Sequence, residues 1–220
     1  MGQKVNPIAL RLGIHQGFKS VGFYNKKNYS STVLADIKIR KSLFDRLKPA
    51  GVGEVIIERS LSSIKITIYV TRPGIVIGRG GTGLEELKKQ IVRMLGITKL
   101  DKNAKKIELK VEPIKDPNLN AYLVATNISE QLIRRMPHRR IMKQAVDKVM
   151  SSGAKGVRIV LSGRIGGSEI GRRERLQSGK VSLSTIREDI DYAQVPSLTK
   201  SGYIGVKVWI YKGEVFQAEK

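Results

Sequence analysis

The sequence predicts an α+β protein built from two sheets in tandem, each covered by helices. Three observations carry this. Strand-period alternation recurs in two distant places, at residues 63–70 and 203–211. Apolar stripes at helical spacing occupy residues 37–47, 84–95, 122–136 and 141–150. Between the two sets, Asp116-Pro117-Asn118 interrupts both neighbouring patterns and marks a domain boundary.

Residues 1–36 mix Gly, Asn, Lys and Ser with scattered apolar residues, and read as an extended basic arm with little core of its own. Ile37, Ile39, Leu43, Phe44 and Leu47 then recur at helical spacing until Pro49 and the Gly51/Gly53 pair stop the helix. Residues 53–60 and 63–70 are β-rich. In the second, Ile64, Ile66 and Ile68 alternate with Lys65, Thr67 and Tyr69, and the intervening Leu61-Ser62 is short enough for a hairpin. Pro73 suits the first position of a short helix. Glycines at 78, 80, 81 and 83 break the chain, and Thr82-x-x-Glu85 reads as a capping box opening a second helix lined by Leu84, Leu87, Ile91 and Leu95. A strand at 106–114 completes a first domain at 37–114.

Beyond the boundary, Tyr122, Ala125, Ile128, Leu132 and Met136 mark one helix. Ile141, Met142, Ala145, Val146, Val149 and Met150 mark another, closed by Gly153. A strand at 157–161, a Gly/Arg-rich loop at 162–175 and a strand at 203–211 follow. In the last, Ile204, Val206, Val208 and Ile210 share a face, and Trp209 lies on the other, which suits a core or inter-domain role. These elements make a second domain at 119–214, with a short tail at 215–220.

Charge narrows the function. The 220 residues hold 41 Lys+Arg against 19 Asp+Glu, a net +22. The excess is focused, with net +8 over residues 1–50 and +10 over residues 131–180. Such a surplus opposes compaction unless an anion neutralises it, and it points to a polyphosphate partner. With no cysteine, the chain has no disulfide, Cys-ligated zinc, iron–sulfur cluster or thiol nucleophile. No apolar run reaches the roughly 18 residues of a membrane span, and the N-terminus lacks the apolar stretch of a signal peptide. The expectation is a soluble intracellular protein without membrane contact. His15 and His138 are far apart, and neither H-E-x-x-H, G-x-S-x-G nor G-x-x-x-x-G-K-[ST] occurs. No enzyme activity, metal, cofactor or small-molecule substrate is expected.

Gly78-Arg79-Gly80-Gly81-Thr82-Gly83 admits three readings. As G-x-G-x-x-G it would bind a dinucleotide, but the preceding strand would be only residues 75–77, and no doubly wound sheet follows. As a plain turn it carries many entropically costly glycines. As the G-x-x-G of a KH domain, Gly78, Arg79, Gly80 and Gly81 would let a sugar-phosphate backbone approach between two helices, and the flanking strands supply the sheet. The element order favours the third.

Several ordered segments then carry a resemblance. They are M-G-Q-K-V-N-P at 1–7, R-L-G-I at 11–14, R-P-G-I-V-I-G-R-G-G at 72–81 and R-R-x-x-x-R-R-x-M-K at 134–143. They continue with G-A-K-G-V at 153–157, S-G-R-I-G-G-S-E-I at 162–170, I-D-Y at 190–192 and I-G-V-K-V-W-I-Y-K-G-E at 204–214. On these residues the chain resembles, from end to end, the bacterial-type small-subunit ribosomal protein three family. Two departures stand out: Gly22-Phe23-Tyr24 replaces an aromatic Trp-Phe-Ala stretch, and Gly80 stands where a Lys is common.

The resemblance implies a type-II KH domain followed by a family-specific domain. It also implies residence in the small-subunit head, bound to small-subunit rRNA beside small-subunit proteins ten and fourteen, in the cytoplasm or an organelle. It implies mRNA contact and help in unwinding at Arg139, Arg140 and Lys143. These three fall within about 100° of one helix arc, opposite the apolar stripe. Without a nucleotide motor, such unwinding would be passive. The expected rRNA contacts are Lys4, Arg11, Arg134, Arg135, Arg164, Arg172, Arg173 and Arg175, the last group having Glu169 and Glu174 as alternative ion-pair partners. His138 reads as an RNA-stacking or surface residue. The rivals from other classes are a free-standing KH regulator of mRNA and a nucleotide-dependent enzyme.

Overall fold

The alternating segments assemble into two four-stranded sheets. The structure, a computed structural model, describes residues 4–22, 24, 26–60, 62–95 and 106–215. Phe23, Leu61 of the expected hairpin turn, residues 1–3 and residues 216–220 of the expected tail lie outside the described residues. In chain order the first elements are α1 (Pro7–Arg11), β1 (Ser20–Gly22), α2 (Tyr29–Arg46), β2 (Val52–Arg59), β3 (Ser63–Val70), α3 (Pro73–Ile77), α4 (Thr82–Leu95) and β4 (Lys106–Pro113). Then come α5 (Ala121–Ile133), α6 (His138–Ser151), β5 (Gly156–Gly163), β6 (Arg172–Gly179), β7 (Glu188–Thr199) and β8 (Gly202–Glu214).

One compact unit is built from Phe18–Lys115. Its sheet runs β1-β2-β3-β4, with β2 and β3 antiparallel and the outer pairs parallel. Ile57, Ile64, Ile66 and Ile68 are almost fully buried against Ile39 and Leu43 of α2, Val76 of α3 and Leu87 and Ile91 of α4. Each such side chain contributes about 1.5–3 kcal/mol. A buried ion pair adds to this packing: the Asp36 carboxylate of α2 accepts Nε–H of Arg59 on β2 at 2.8 Å, and both side chains are buried.

The other unit joins the N-terminal segment up to Gly17 to the chain from Asp116 onward. Its sheet is fully antiparallel, in the order β6-β5-β8-β7. One face packs Val157, Ile159, Leu161, Val206, Val208 and Ile210 under α5 and α6. Asn120 caps α5, its Oδ1 accepting the N–H groups of Tyr122 and Leu123, while Asp191 Oδ2 of β7 accepts that of Ala121 at 2.9 Å. These partners satisfy amides that a helix start otherwise leaves bare.

Three expectations are corrected. The arm at 1–36 is not extended: residues 29–36 are the first two turns of α2, and β1 pairs in parallel with β2. Only Asp36 in those turns is buried, so they show little apolar period, and Ile37 is exposed too. Thr82 does not form a capping box. Its backbone is already helical, and its hydroxyl donates to the Arg79 carbonyl at 3.0 Å. Within the expected loop at 162–175, β6 begins at Arg172, and β7 follows it. The core role expected of Trp209 holds: it belongs to a small core on the outer face of the second sheet, with Val160, Val181, Ile190 and Tyr211.

Candidate nucleic-acid interface

The glycine loop joins α3 to α4, so a helix and not a strand precedes it, and the dinucleotide reading fails. Gly78, Gly80 and Gly81 have φ of 71°, 63° and 82°, a region that side chains disfavour. Gly83 has a different reason, since a Cβ there would lie 2.6 Å from the Val76 carbonyl oxygen, where α3 closes on α4. The fold therefore accounts for all four glycines. Beyond that, Gly80 and Gly81 open onto empty space, and Gly78, Arg79 and Gly80 are exposed. Exposed Ile75 and Ile77 flank the loop. The loop is bare backbone with one cation beside an apolar rim.

On α6 the sequence sorts its two faces cleanly. Ile141, Met142, Val146 and Val149 are buried against the sheet, while Arg139, Arg140 and Lys143 are exposed. None of the three makes a hydrogen bond or ion pair among the described residues. The Arg139–Lys143 edge rims a groove of about 540 Å³ whose floor includes Met142, Val146 and Leu176. His138 opens the helix, with Nε2 2.9 Å from Glu174 Oε2 on β6. It is half-buried and tied to the fold, so neither a stacking nor a free surface role fits it.

The remaining expected cations separate. Arg11 is fully buried. Its Nε donates to the Glu188 carbonyl at 2.6 Å, Nη1 to that of Pro7 at 3.0 Å, and Nη2 to those of Leu183 and Thr185 at 3.1 and 2.7 Å. Burial pulls its pKa below the ordinary arginine value, and the Glu188 and Asp189 carboxylates oppose that shift. With its guanidinium spent inside the protein, Arg11 is withdrawn from the rRNA contacts. Arg134 and Arg135 are exposed where α5 ends, Arg135 at the positive φ of 59°. Arg164 donates Nε–H to the Ser168 carbonyl at 2.9 Å and holds its own loop.

Arg172, Arg173 and Arg175 do not form one cluster, because neighbours on a strand face opposite sides. Arg172 pairs with Glu174 at 3.1 Å on the helix side. Arg173 and Arg175 share the outer face of the sheet with Arg158 and Lys207, two cations that sequence reasoning missed. The signal was present: Arg158 alternates with Val157 and Ile159, and Lys207 with Val206 and Val208. Among the described residues no group of three or more His, Asp or Glu is placed to hold a metal, and no helix is long and apolar enough to cross a membrane.

Comparison with known proteins fits this layout. A KH domain model matches residues 38–119, and a model described as ribosomal protein S3, C-terminal domain, matches residues 128–210. The small ribosomal subunit protein uS3 of Persephonella marina is 46% identical over 220 residues, covering 100% of this chain and 94% of that protein. The protein of the same name from Carboxydothermus hydrogenoformans is 44% identical over 220 residues, covering 100% and 96%. The one from Pelagibacter ubique is 43% identical over 219 residues, covering 100% and 93%. The chain belongs to the uS3 family. In this uS3 member the KH match runs from α2 through β4, and the C-terminal match runs from within α5 into β8.

Proposed function

We propose that this chain is a structural constituent of the small ribosomal subunit, placed in its head and bound to small-subunit rRNA. It does so in the cytoplasm or in an organellar ribosome, beside small-subunit proteins ten and fourteen. The Arg139–Arg140–Lys143 face of α6 meets mRNA where it enters the subunit, and it aids unwinding passively. The observation that carries the mRNA part is that face itself: three exposed cations on a helix anchored by its opposite side, none of them in an ion pair among the described residues, with Asp147 the one acidic residue of the helix. Such a ridge neutralises a backbone without reading bases. A contact that favours single-stranded over paired RNA shifts the opening equilibrium by its differential affinity, while translocation supplies the work.

Contacts to rRNA fall to Lys4, Arg134, Arg135, Arg164, Arg173 and Arg175, with Arg172 contributing what its ion pair leaves free. In the KH unit, Gly78, Arg79, Gly80 and Gly81 offer a close approach for a phosphate toward the amides at the start of α4. The family's ribosomal names favour binding over catalysis.

A free-standing KH regulator shares the loop but not the ribosome. Sedimentation of cell extract separates the two. The protein is expected to stay with small subunits after a moderate-salt wash. Recovery in the free fraction would overturn the ribosomal reading.

A further inference from the structure

The face of the second sheet turned away from α5 and α6 gathers a cluster of cations that form no ion pair among the described residues. Strand register sets this out. Val160 of β5 pairs with Arg175 of β6 on one side and Lys207 of β8 on the other. In the adjacent row, Arg158 pairs with Gln177 and Trp209, and Trp209 pairs with Tyr192 of β7. Arg173 lies two residues along β6 from Arg175, on the same face. Lys4, from the segment before α1, completes the group: residues 4–7 with Arg173, Lys207, Tyr192 and Trp209 line a cavity of about 470 Å³.

Among the described residues no Asp or Glu lines that cavity. Lys4, Arg173 and Lys207 have no hydrogen-bond or ion-pair partner among the described residues. Arg158 and Arg175 reach only neutral acceptors: both donate to Gln177 Oε1, and Arg158 also donates to the Val181 carbonyl at 3.4 Å. The convergence has an electrostatic signature. Partial burial, and then the like charges of Arg173, Arg158, Arg175 and Lys207, hold the Lys4 ammonium below the ordinary lysine range. Burial and then Arg175 act the same way on Arg158. Like charges held together in a concavity favour a bound anion. The aromatic side of the cavity narrows the class: the Tyr192 and Trp209 rings lie 5.1 Å apart, tilted by 33°. A phosphate joined to a flat base uses both features.

We propose that this cavity binds one nucleotide of an RNA strand, its phosphate among Lys4, Arg173 and Lys207 and its base against Tyr192. The proposal rests on the RNA-binding reading of the chain, and it names a site across the sheet from α6. A free nucleotide presents the same chemistry, so the test separates the two sources.

Trp209 is the chain's only tryptophan and lines the cavity, so its fluorescence reports this site. The full-length protein is titrated with a short single-stranded RNA and, separately, with adenosine monophosphate, while fluorescence anisotropy of labelled RNA follows total binding. The RNA is expected to shift Trp209 emission at lower concentration than the mononucleotide. The double substitution Arg173→Ala with Lys207→Ala is expected to weaken that response by about tenfold or more. Its urea midpoint should not fall, because like charges have been removed. RNA binding with a silent Trp209, or a response indifferent to the double substitution, overturns the site while the RNA-binding reading stands. A mononucleotide response at equal or lower concentration overturns the assignment to an RNA strand. No RNA binding at all overturns both.

Discussion

Ribosomes carrying Arg139→Ala, Arg140→Ala and Lys143→Ala together are expected to slow on messages with stable hairpins and little on unstructured ones. The three side chains are exposed on α6, and its buried residues are untouched. Alanine is the strongest helix former, so the helix persists. What the proposed mechanism loses is a differential grip on single-stranded RNA. A preference of about 1.4 kcal/mol for the open strand shifts strand opening tenfold, which sets the scale of the expected pause at each hairpin. A second readout is independent of translation: removing three phosphate contacts lowers the log–log salt slope of single-strand binding by about 2. Ribosome profiling or single-molecule translation on matched messages measures the first effect. Equal slowing on both kinds of message contradicts the mechanism.

Arg11→Ala is expected to destabilise the unit that contains α5, α6 and the second sheet by about 3–5 kcal/mol, because buried carbonyls lose a charged donor and a void opens. The guanidinium spans four backbone carbonyls, those of Pro7, Leu183, Thr185 and Glu188. It thereby fastens α1 to the chain just before β7 and to the first residue of that strand. Truncation strips those acceptors of their donor and leaves a void. Arg11→Lys recovers only part of the loss, since an ammonium cannot fork across acceptors as a planar guanidinium does. Urea unfolding followed by Trp209 fluorescence reads this unit alone, because the tryptophan lies within it. With m of roughly 1–3 kcal/mol per molar, the midpoint should fall by about 1 M or more. A shift within experimental error would return Arg11 to the surface cations.

Arg11 also shows where sequence reading stops. As a letter it is one more cation in a basic segment. Its burial depends on carbonyls more than 170 residues away, which no local pattern announces. The same holds for the pairing of residues up to Gly17 with the chain beyond Asp116. Elements with one buried face were legible, because burial imposes its period. The span 63–70 of β3 matched residue for residue, and the apolar stripes of α4, α5 and α6 faced their cores. The edge strands of the second sheet were not. In β6, R-R-E-R-L-Q-S-G offers Leu176 as its one large apolar residue, and β7 carries Pro196 and two aspartates, which an edge position tolerates. Missing β6 hid the alternation that sends Arg172 to one face and Arg173 and Arg175 to the other.

The glycine loop teaches a related point. The glycine count alone favoured a ligand, yet positive φ at three positions and the close approach of Gly83 to α3 account for every glycine without one. The RNA reading of that loop rests instead on the open space beyond Gly80 and Gly81, and on the family.

The central claim is that the cation surplus is arranged to neutralise RNA phosphate. Its most direct measurement is the affinity of the full-length protein for small-subunit rRNA as ionic strength rises. If about 6–10 phosphates are neutralised, binding weakens by about 10³–10⁵ between roughly 50 and 200 mM salt. A flat profile over that range would contradict the account.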